Sequence, residues 1–250
     1  VLSRDHTERM MLALGVPLQT AASSVMLDPS ADWEGGWDAF DWHVPGDPSS
    51  AAFPLLAAAM VPGSEVSVED VCVNPTRTGL FDWLRLIGAS CTHRPSGHGA
   101  GDEPMAELTV AHGSIRGAVA GGELIVRMID EVPAVCALAA VATGKTEIRD
   151  AKELRVKESD RIATMAHVLG AFGVPCEELD DGMIISGGAS LHGAHIESHG
   201  DHRIAMSATL LGLLADGETL IDGAEAVDTS FPGFVELLRS LGADITEETR

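Results

Sequence analysis

Three observations predict an α/β fold built from repeated βαβαββ units, with buried parallel helices and sheets arranged around a pseudo-threefold axis. An amphipathic helix ending near a glycine recurs four times along the chain. A second, almost wholly apolar helix opened by an aspartate alternates with it. Between them run short stretches that alternate polar and apolar residues, the period of a strand exposed on one face.

The amphipathic helix first occupies Thr7 to Leu14 and ends at Gly15 before Val16 and Pro17. It returns at Gly79 to Ala89, at Asp160 to Val174 and at Gly233 to Ala243. Each terminal glycine suits a helix end that needs positive φ, and a strand-like stretch is expected after each. The apolar helix follows Asp47-Pro48-Ser49-Ser50 as Ala51 to Met60, Asp130-Glu131-Val132-Pro133 as Ala134 to Ala142, and Asp201-His202-Arg203 as Ile204 to Ala215. An aspartate stands where a cap is wanted, and a helix apolar on all sides belongs in a core. Glu65–Val68, Lys145–Ile148 and Glu218–Ile221 then read as half-exposed strands.

Three near-complete copies are therefore expected from about Trp42 onward, with residues 1–41 the tail of a fourth, so that the chain starts inside a repeat. Glycines, prolines, tryptophans and acidic residues break the helical pattern between Gly35 and Pro48. A boundary is expected there, leaving residues 1–43 as a remnant of a partner domain and 44–250 as a domain of three repeats.

Composition narrows the function classes. With 45% hydrophobic and 22% charged residues over 250 positions, the chain is expected to be globular. Only 16 Lys and Arg face 38 Asp and Glu, a net charge of -22, which argues against nucleic acid and anionic membranes as partners. No apolar run approaches the roughly 20 residues of a spanning helix, and Arg4, Asp5, His6, Glu8 and Arg9 are unlike a secretory signal. Cys72, Cys91, Cys136 and Cys176 are widely spaced without a CxxC pair, so neither zinc nor a disulfide framework is expected. A reducing cytoplasm fits.

Against that acidic background, Lys157, Arg161 and Arg203 concentrate positive charge at apparent helix starts. Helix N-termini and guanidinium groups together suit a bound phosphate or carboxylate. Lys157 and Arg161, at i and i+4, are expected to share a helix face, and Glu158 lies three positions before Arg161. Carboxylates beside such cations are suited to proton transfer next to an anionic substrate. The bland alternatives are a solvated charged face and, for Asp130, a simple helix cap.

Six ordered segments, Leu2–Glu8, Asn74-Pro75-Thr76-Arg77-Thr78-Gly79, Ile129–Pro133, Arg155–Arg161, Asp201–Ser207 and Thr229-Ser230-Phe231-Pro232, resemble the 3-phosphoshikimate 1-carboxyvinyltransferases, or EPSP synthases. The resemblance implies their inverse α/β barrel and their reaction. In it the enolpyruvyl group of phosphoenolpyruvate moves to the 5-hydroxyl of shikimate 3-phosphate with release of phosphate, using neither metal nor organic cofactor. It further implies that Asp130 accepts the proton, Lys157 contacts the sugar-like ring, Glu158 protonates the methylene carbon, and Arg161 and Arg203 hold the phosphoenolpyruvate carboxylate. Ser3, assisted by Arg4, resembles a contact to shikimate 3-phosphate. By the same resemblance the whole protein is a cytoplasmic monomer, and this chain is its C-terminal portion. The glycine-rich segment and further cations of the other half are missing here, so the chain is expected to be inactive unless a complementary N-terminal half joins it. The alternatives are one half of a naturally split enzyme, or a non-catalytic anion-binding or assembly module that keeps the fold.

Overall fold

The computed structural model describes residues 2–21, 24–28, 36 and 39–248. Part of the expected boundary stretch, residues 35, 37 and 38, lies outside the described residues. The chain opens with α1 (His6–Ala13) and the antiparallel hairpin of β1 (Leu18–Ala21) and β2 (Ser24–Leu27). No residue of α1 is buried, and Val25, Met26 and Leu27 are exposed.

Two full repeats follow on one plan. The first runs α2 (Pro48–Met60), β3 (Glu65–Cys72), α3 (Gly79–Ile87), β4 (Ser90–His98) and β5 (Pro104–Ala111). Its sheet has the order β3-β5-β4, antiparallel throughout, and Gly46 adds a parallel bridge to Val71. The second runs β6 (Val119–Ala120), α4 (Glu123–Val126), α5 (Val132–Val141), β7 (Lys145–Ile148), α6 (Arg161–Ala171), β8 (Cys176–Leu179) and β9 (Gly182–Ser186). Its order, β6-β7-β9-β8, repeats the first, with β6 parallel to β7 where Gly46 met Val71.

The third copy is shorter than expected. It holds β10 (His195–Glu197), α7 (His202–Gly212), β11 (Leu220–Asp222) and α8 (Phe234–Ser240), with β10 parallel to β11, and no strand follows α8 among the described residues. The stretch after α8 finds no ladder, and Arg239 Nε instead donates to the Ile245 carbonyl at 2.7 Å. An extended segment without a partner strand leaves its amides to other acceptors or to water.

The inner helices α2, α5 and α7 pack against one another pairwise. Every residue of α5 from Val132 to Ala140 is buried, as is nearly all of α2, which is why neither sequence carries a polar stripe. The outer helices lie one-sidedly on this core. In α3, Leu80, Phe81, Trp83, Leu84 and Ile87 face inward, and Gly88 ends the helix at φ 83°.

Capping divides the three inner helices. The Asp47 carboxylate accepts from the Ser49 and Ser50 amides at 3.2 and 3.0 Å, and Asp201 accepts from the Arg203 amide at 3.0 Å. Asp130 caps nothing: α5 grows out of a 3-10 turn, Ile129–Glu131, and the Asp130 side chain points elsewhere.

The first helix touches the first repeat. Asn74 Nδ2 donates to Asp5 Oδ1 at 2.6 Å, and α1 rests on the turn Ala100–Asp102. Close backbone approach also decides a residue inside the second sheet. A Cβ on Gly182 would lie 1.9 Å from the Ile148 carbonyl oxygen. Gly182→Ala should therefore cost about 2–3 kcal/mol as β9 is pushed off β7, read as a lower urea midpoint with an unchanged slope.

Candidate functional site

Four stretches distant in sequence meet where the inner helices begin. The loop before α1 brings Ser3 and Arg4, the turn before α5 brings Asp130, the approach to α6 brings Lys157, Glu158 and Arg161, and the start of α7 brings Arg203. Asp130 is their hub. Its Oδ2 lies 2.5 Å from Arg4 Nη2, and its Oδ1 lies 3.4 Å from Lys157 Nζ and 3.6 Å from Arg161 Nη1. Arg4 Nη1 also donates to Ser3 Oγ at 3.0 Å. Arg4 holds φ at 55°, a left-handed conformation that is strained for a residue with a side chain.

Arg161 is the structural pillar of the cluster. Its side chain is 1% exposed, and it forks onto Asp201, with Nε to Oδ2 at 2.9 Å and Nη2 to Oδ1 at 3.2 Å. Nη2 also reaches Glu158 at 2.6 Å. Asp201, wholly buried, takes a further hydrogen bond from Ser159 Oγ at 2.9 Å. A planar guanidinium with its donors so engaged fixes the start of α6 against the start of α7.

The expected i, i+4 pairing of Lys157 with Arg161 on one helix is corrected here. Lys157 has extended φ/ψ at the end of the 3-10 turn Lys152–Val156, and α6 begins only at Arg161, capped by Asp160. Both still reach Asp130, because the loop doubles back rather than because a helix aligns them. Lys157 also pairs with Glu153 at 2.6 Å.

Arg203 differs from its neighbours. Its Nη1 is buried with no hydrogen-bond partner among the described residues, while its positive charge acts on Asp130. A buried guanidinium N–H without an acceptor is costly, and a bound anion would satisfy it. Burial pulls the Asp130 carboxyl upward, but the charges of Arg203, Lys157 and Arg4 outweigh burial and hold it below the ordinary carboxylate value. Asp201 behaves alike: burial raises it, and the Arg161 hydrogen bond and charge, with Ser159 and the Arg203 amide, bring it below normal. His202 is pushed down by burial and by Arg203, so its imidazole is neutral at neutral pH.

Sequence reasoning missed several of these residues. Asp201 was legible as a cap, but not as the buried partner of Arg161. Glu131, Ser49 and Arg77 form a second buried network beside Asp130, signalled only by the Asn-Pro-Thr-Arg stretch. A third cluster, His6, Cys72 and Glu103, places three potential metal-ligand atoms within 4.8 Å of one another. Glu103, however, already accepts from Asn74 at 3.2 and 2.9 Å, from the Cys72 thiol at 3.6 Å, and lies 2.7 Å from His6 Nδ1. With its acceptor sites filled by side chains from three segments, the cluster works as a polar joint between α1 and the first repeat. The four cysteines are free. A cavity of about 380 Å³ between α3 and the β4–β5 hairpin contains none of the Asp130 cluster. No helix among the described residues is long and apolar enough to cross a membrane.

Residues 1–238 match the family model of EPSP synthase, 3-phosphoshikimate 1-carboxyvinyltransferase. The chain belongs to the EPSP synthase family. It is 47% identical over 234 residues to the 3-phosphoshikimate 1-carboxyvinyltransferase of Herpetosiphon aurantiacus, covering 94% of this chain and 54% of that one. It is 48% identical over 238 residues to the namesake from Roseiflexus castenholzii, covering 95% and 55%. The solved EPSP synthase of Acinetobacter baumannii superposes on all of the chain with a TM-score of 0.91 at 37% identity, over 56% of its own length. The chain thus spans about half the length of the EPSP synthases it matches. The repeated α/β architecture expected from the sequence is the EPSP synthase fold.

Removing the Asp201 carboxylate exposes the electrostatics of this EPSP synthase chain. Asp201→Asn should cost about 3 kcal/mol at neutral pH by leaving buried Arg161 short of its anion. Because the folded-state pKa of Asp201 is depressed, its stabilisation is full above the unfolded value near 3.9 and is lost as pH falls through the folded value. The stability difference between parent and variant, measured by denaturant titration, should therefore narrow only below about pH 4.

Proposed function

We propose that the chain supplies the Asp130-centred half of an enzyme that transfers enolpyruvyl from phosphoenolpyruvate to the 5-hydroxyl of shikimate 3-phosphate and releases phosphate. One observation supports this reading: Arg4, Lys157 and Arg161 converge on Asp130, with Ser3 on Arg4, Glu158 on Arg161 and the Arg203 charge acting on Asp130, while the buried Arg203 Nη1 has no hydrogen-bond partner among the described residues.

Roles follow from position. Asp130 is ionised at neutral pH and takes the proton of the attacking hydroxyl. Its present partners, Arg4 and Lys157, are free to turn to a substrate phosphate or hydroxyl, and losing them raises its proton affinity. The hydroxyl oxygen then bonds to C2 of phosphoenolpyruvate, while the methylene carbon gains a proton from Glu158, which is half exposed and held by Arg161. The tetrahedral adduct loses phosphate as the Glu158 carboxylate takes back a methyl proton and protonated Asp130 returns its proton to the leaving phosphate, restoring the vinyl group and both carboxyls. Arg203 offers its unpartnered donor to the phosphoenolpyruvate carboxylate, and Arg161 backs it from below. Ser3 and Arg4 face the phosphate of shikimate 3-phosphate. Holding two anions together is the main electrostatic task, and converging cations beside helix N-termini perform it.

We assign residues 1–43 to the partner domain and 44–250 to the domain of three repeats, with the substrates enclosed between them. The complete protein is placed in the cytoplasm as a monomer without metal or organic cofactor, a compartment that suits four free thiols.

A phosphate-release assay tests the proposal. The 250-residue chain alone should release no measurable phosphate from the two substrates, and turnover should appear when the half present in its longer relatives is added. In the completed enzyme, Asp130→Asn should lower kcat by roughly 10²–10⁴-fold. Arg203→Ala should weaken phosphoenolpyruvate binding by about 2–4 kcal/mol, read by calorimetry. Robust turnover by the chain alone, or an active Asp130→Asn enzyme, would overturn the assignment.

A further inference from the structure

Glu131 is 2% exposed and adjoins Asp130 in the turn that starts α5. Buried carboxylates are rare without strong partners. This one accepts from the Ser49 hydroxyl in a short hydrogen bond, and Ser49 in turn accepts from Arg77 Nη2 at 2.8 Å. Arg77 Nη2 stands 3.8 Å from Glu131 and 3.4 Å from Asp47. The donors run in one direction, Arg77 to Ser49 to Glu131, and end on an acceptor, an arrangement that favours the ionised carboxylate against the cost of its burial. Burial pushes the Glu131 carboxyl above its ordinary value; Ser49, Arg77 and Arg203 oppose that rise without cancelling it, and the neighbouring Asp130 charge adds to it.

The repeat shows what this network corresponds to. In the second copy, Arg161 at the start of the outer helix clasps Asp201 at the start of the third copy's inner helix. In the first copy, Arg77 just before the outer helix reaches Glu131 at the start of the second copy's inner helix. Each arginine ties its own repeat to the inner-helix N-terminus of the next. The first of these clasps lies directly behind Asp130, and Arg203 acts electrostatically on both carboxylates of the turn.

We propose that Glu131 is a positioning residue for Asp130: its buried carboxylate, locked by Ser49 and Arg77, fixes the turn that aims Asp130 into the cleft and sets the charge against which Asp130 gains its proton. This extends, and for turnover rests on, the reading of Asp130 as proton acceptor. The groups facing Glu131 are Ser49, Arg77, Arg203 and Asp130, and those facing Asp130 are Arg4, Lys157, Arg161 and Arg203. An ionised Glu131 raises the proton affinity of Asp130, and neutralising it lowers that affinity and frees Arg203 to act on Asp130 alone.

The test uses two readouts on Glu131→Gln. On the 250-residue chain, carbon-13 NMR of labelled aspartate carboxyls should show the Asp130 titration moving to lower pH. In the chain completed by the half its relatives carry, kcat should fall roughly ten- to hundredfold with KM within about twofold, and the acid limb of the kcat profile should move to lower pH. If Glu131→Gln does not fold, Ser49→Ala carries the test. It removes the hydroxyl between Arg77 and Glu131, favours the neutral acid, and should shift Asp130 in the same direction. An Asp130 titration and a pH profile both unchanged in the variant that folds overturn the proposal. An active Asp130→Asn enzyme overturns the proton-acceptor reading instead, and the NMR midpoint still decides whether Glu131 governs Asp130.

Discussion

Arg161 and Asp201 are buried together where α6 and α7 begin, and the geometry of the cleft depends on that pair. Neither is tolerable alone in a dry interior, since an unpaired charge there costs several kcal/mol. Paired, they pin one repeat to the next and leave spare donors of Arg161 facing Glu158 and Asp130. The hub carboxylate is thus held by an arginine whose orientation is already determined from behind. Arrangement of this kind is what proton transfer requires, because a reacting group displaced by an ångström loses much of its effect.

Near-symmetry of the repeats makes the site by letting equivalent positions do different work. Asp47, the Asp130–Glu131 pair and Asp201 all stand at inner-helix starts. Asp47 caps its helix and touches Arg77; Asp201 caps its helix and holds Arg161. In the middle copy the two duties are separated between adjacent residues. Glu131 takes the buried structural place, and Asp130 is released toward the cleft.

Much of this was legible in the sequence because it is local. Apolar helices with an aspartate before them, terminal glycines such as Gly88 and Gly173, and the strand Lys145–Ile148 follow from periodicity and backbone freedom alone. What escaped was set by distant partners. Lys157 reaches Asp130 from a non-helical loop, so the spacing argument named the right pair for the wrong reason. Asp130 looked like a cap because nothing nearby in sequence shows that α5 starts from a 3-10 turn. The stretch after α8 alternates weakly but meets no strand, and whether it pairs is a property of its neighbours. Asp5 and His6 join Asn74 and Glu103 through side chains that carry no periodic signal.

The charge balance of the cleft follows from the composition of the whole chain. A net charge of -22 repels anions at long range, so any anion site must gather its cations locally. Arg4, Lys157, Arg161 and Arg203 are so gathered, and Asp130, Glu158, Asp201 and Glu131 stand against them. The two sets are unequal in freedom. Asp201 and Glu131 are buried and committed to the fold, whereas Asp130 and Glu158 face the cleft and share their cations with whatever anion arrives. On the proposed reading, an incoming carboxylate or phosphate competes with Asp130 and Glu158, and with Glu153 at Lys157, and in displacing them it weakens the ion pairs that keep Asp130 acidic. On that reading, binding of the anion and the basicity of Asp130 are coupled through the same four cations.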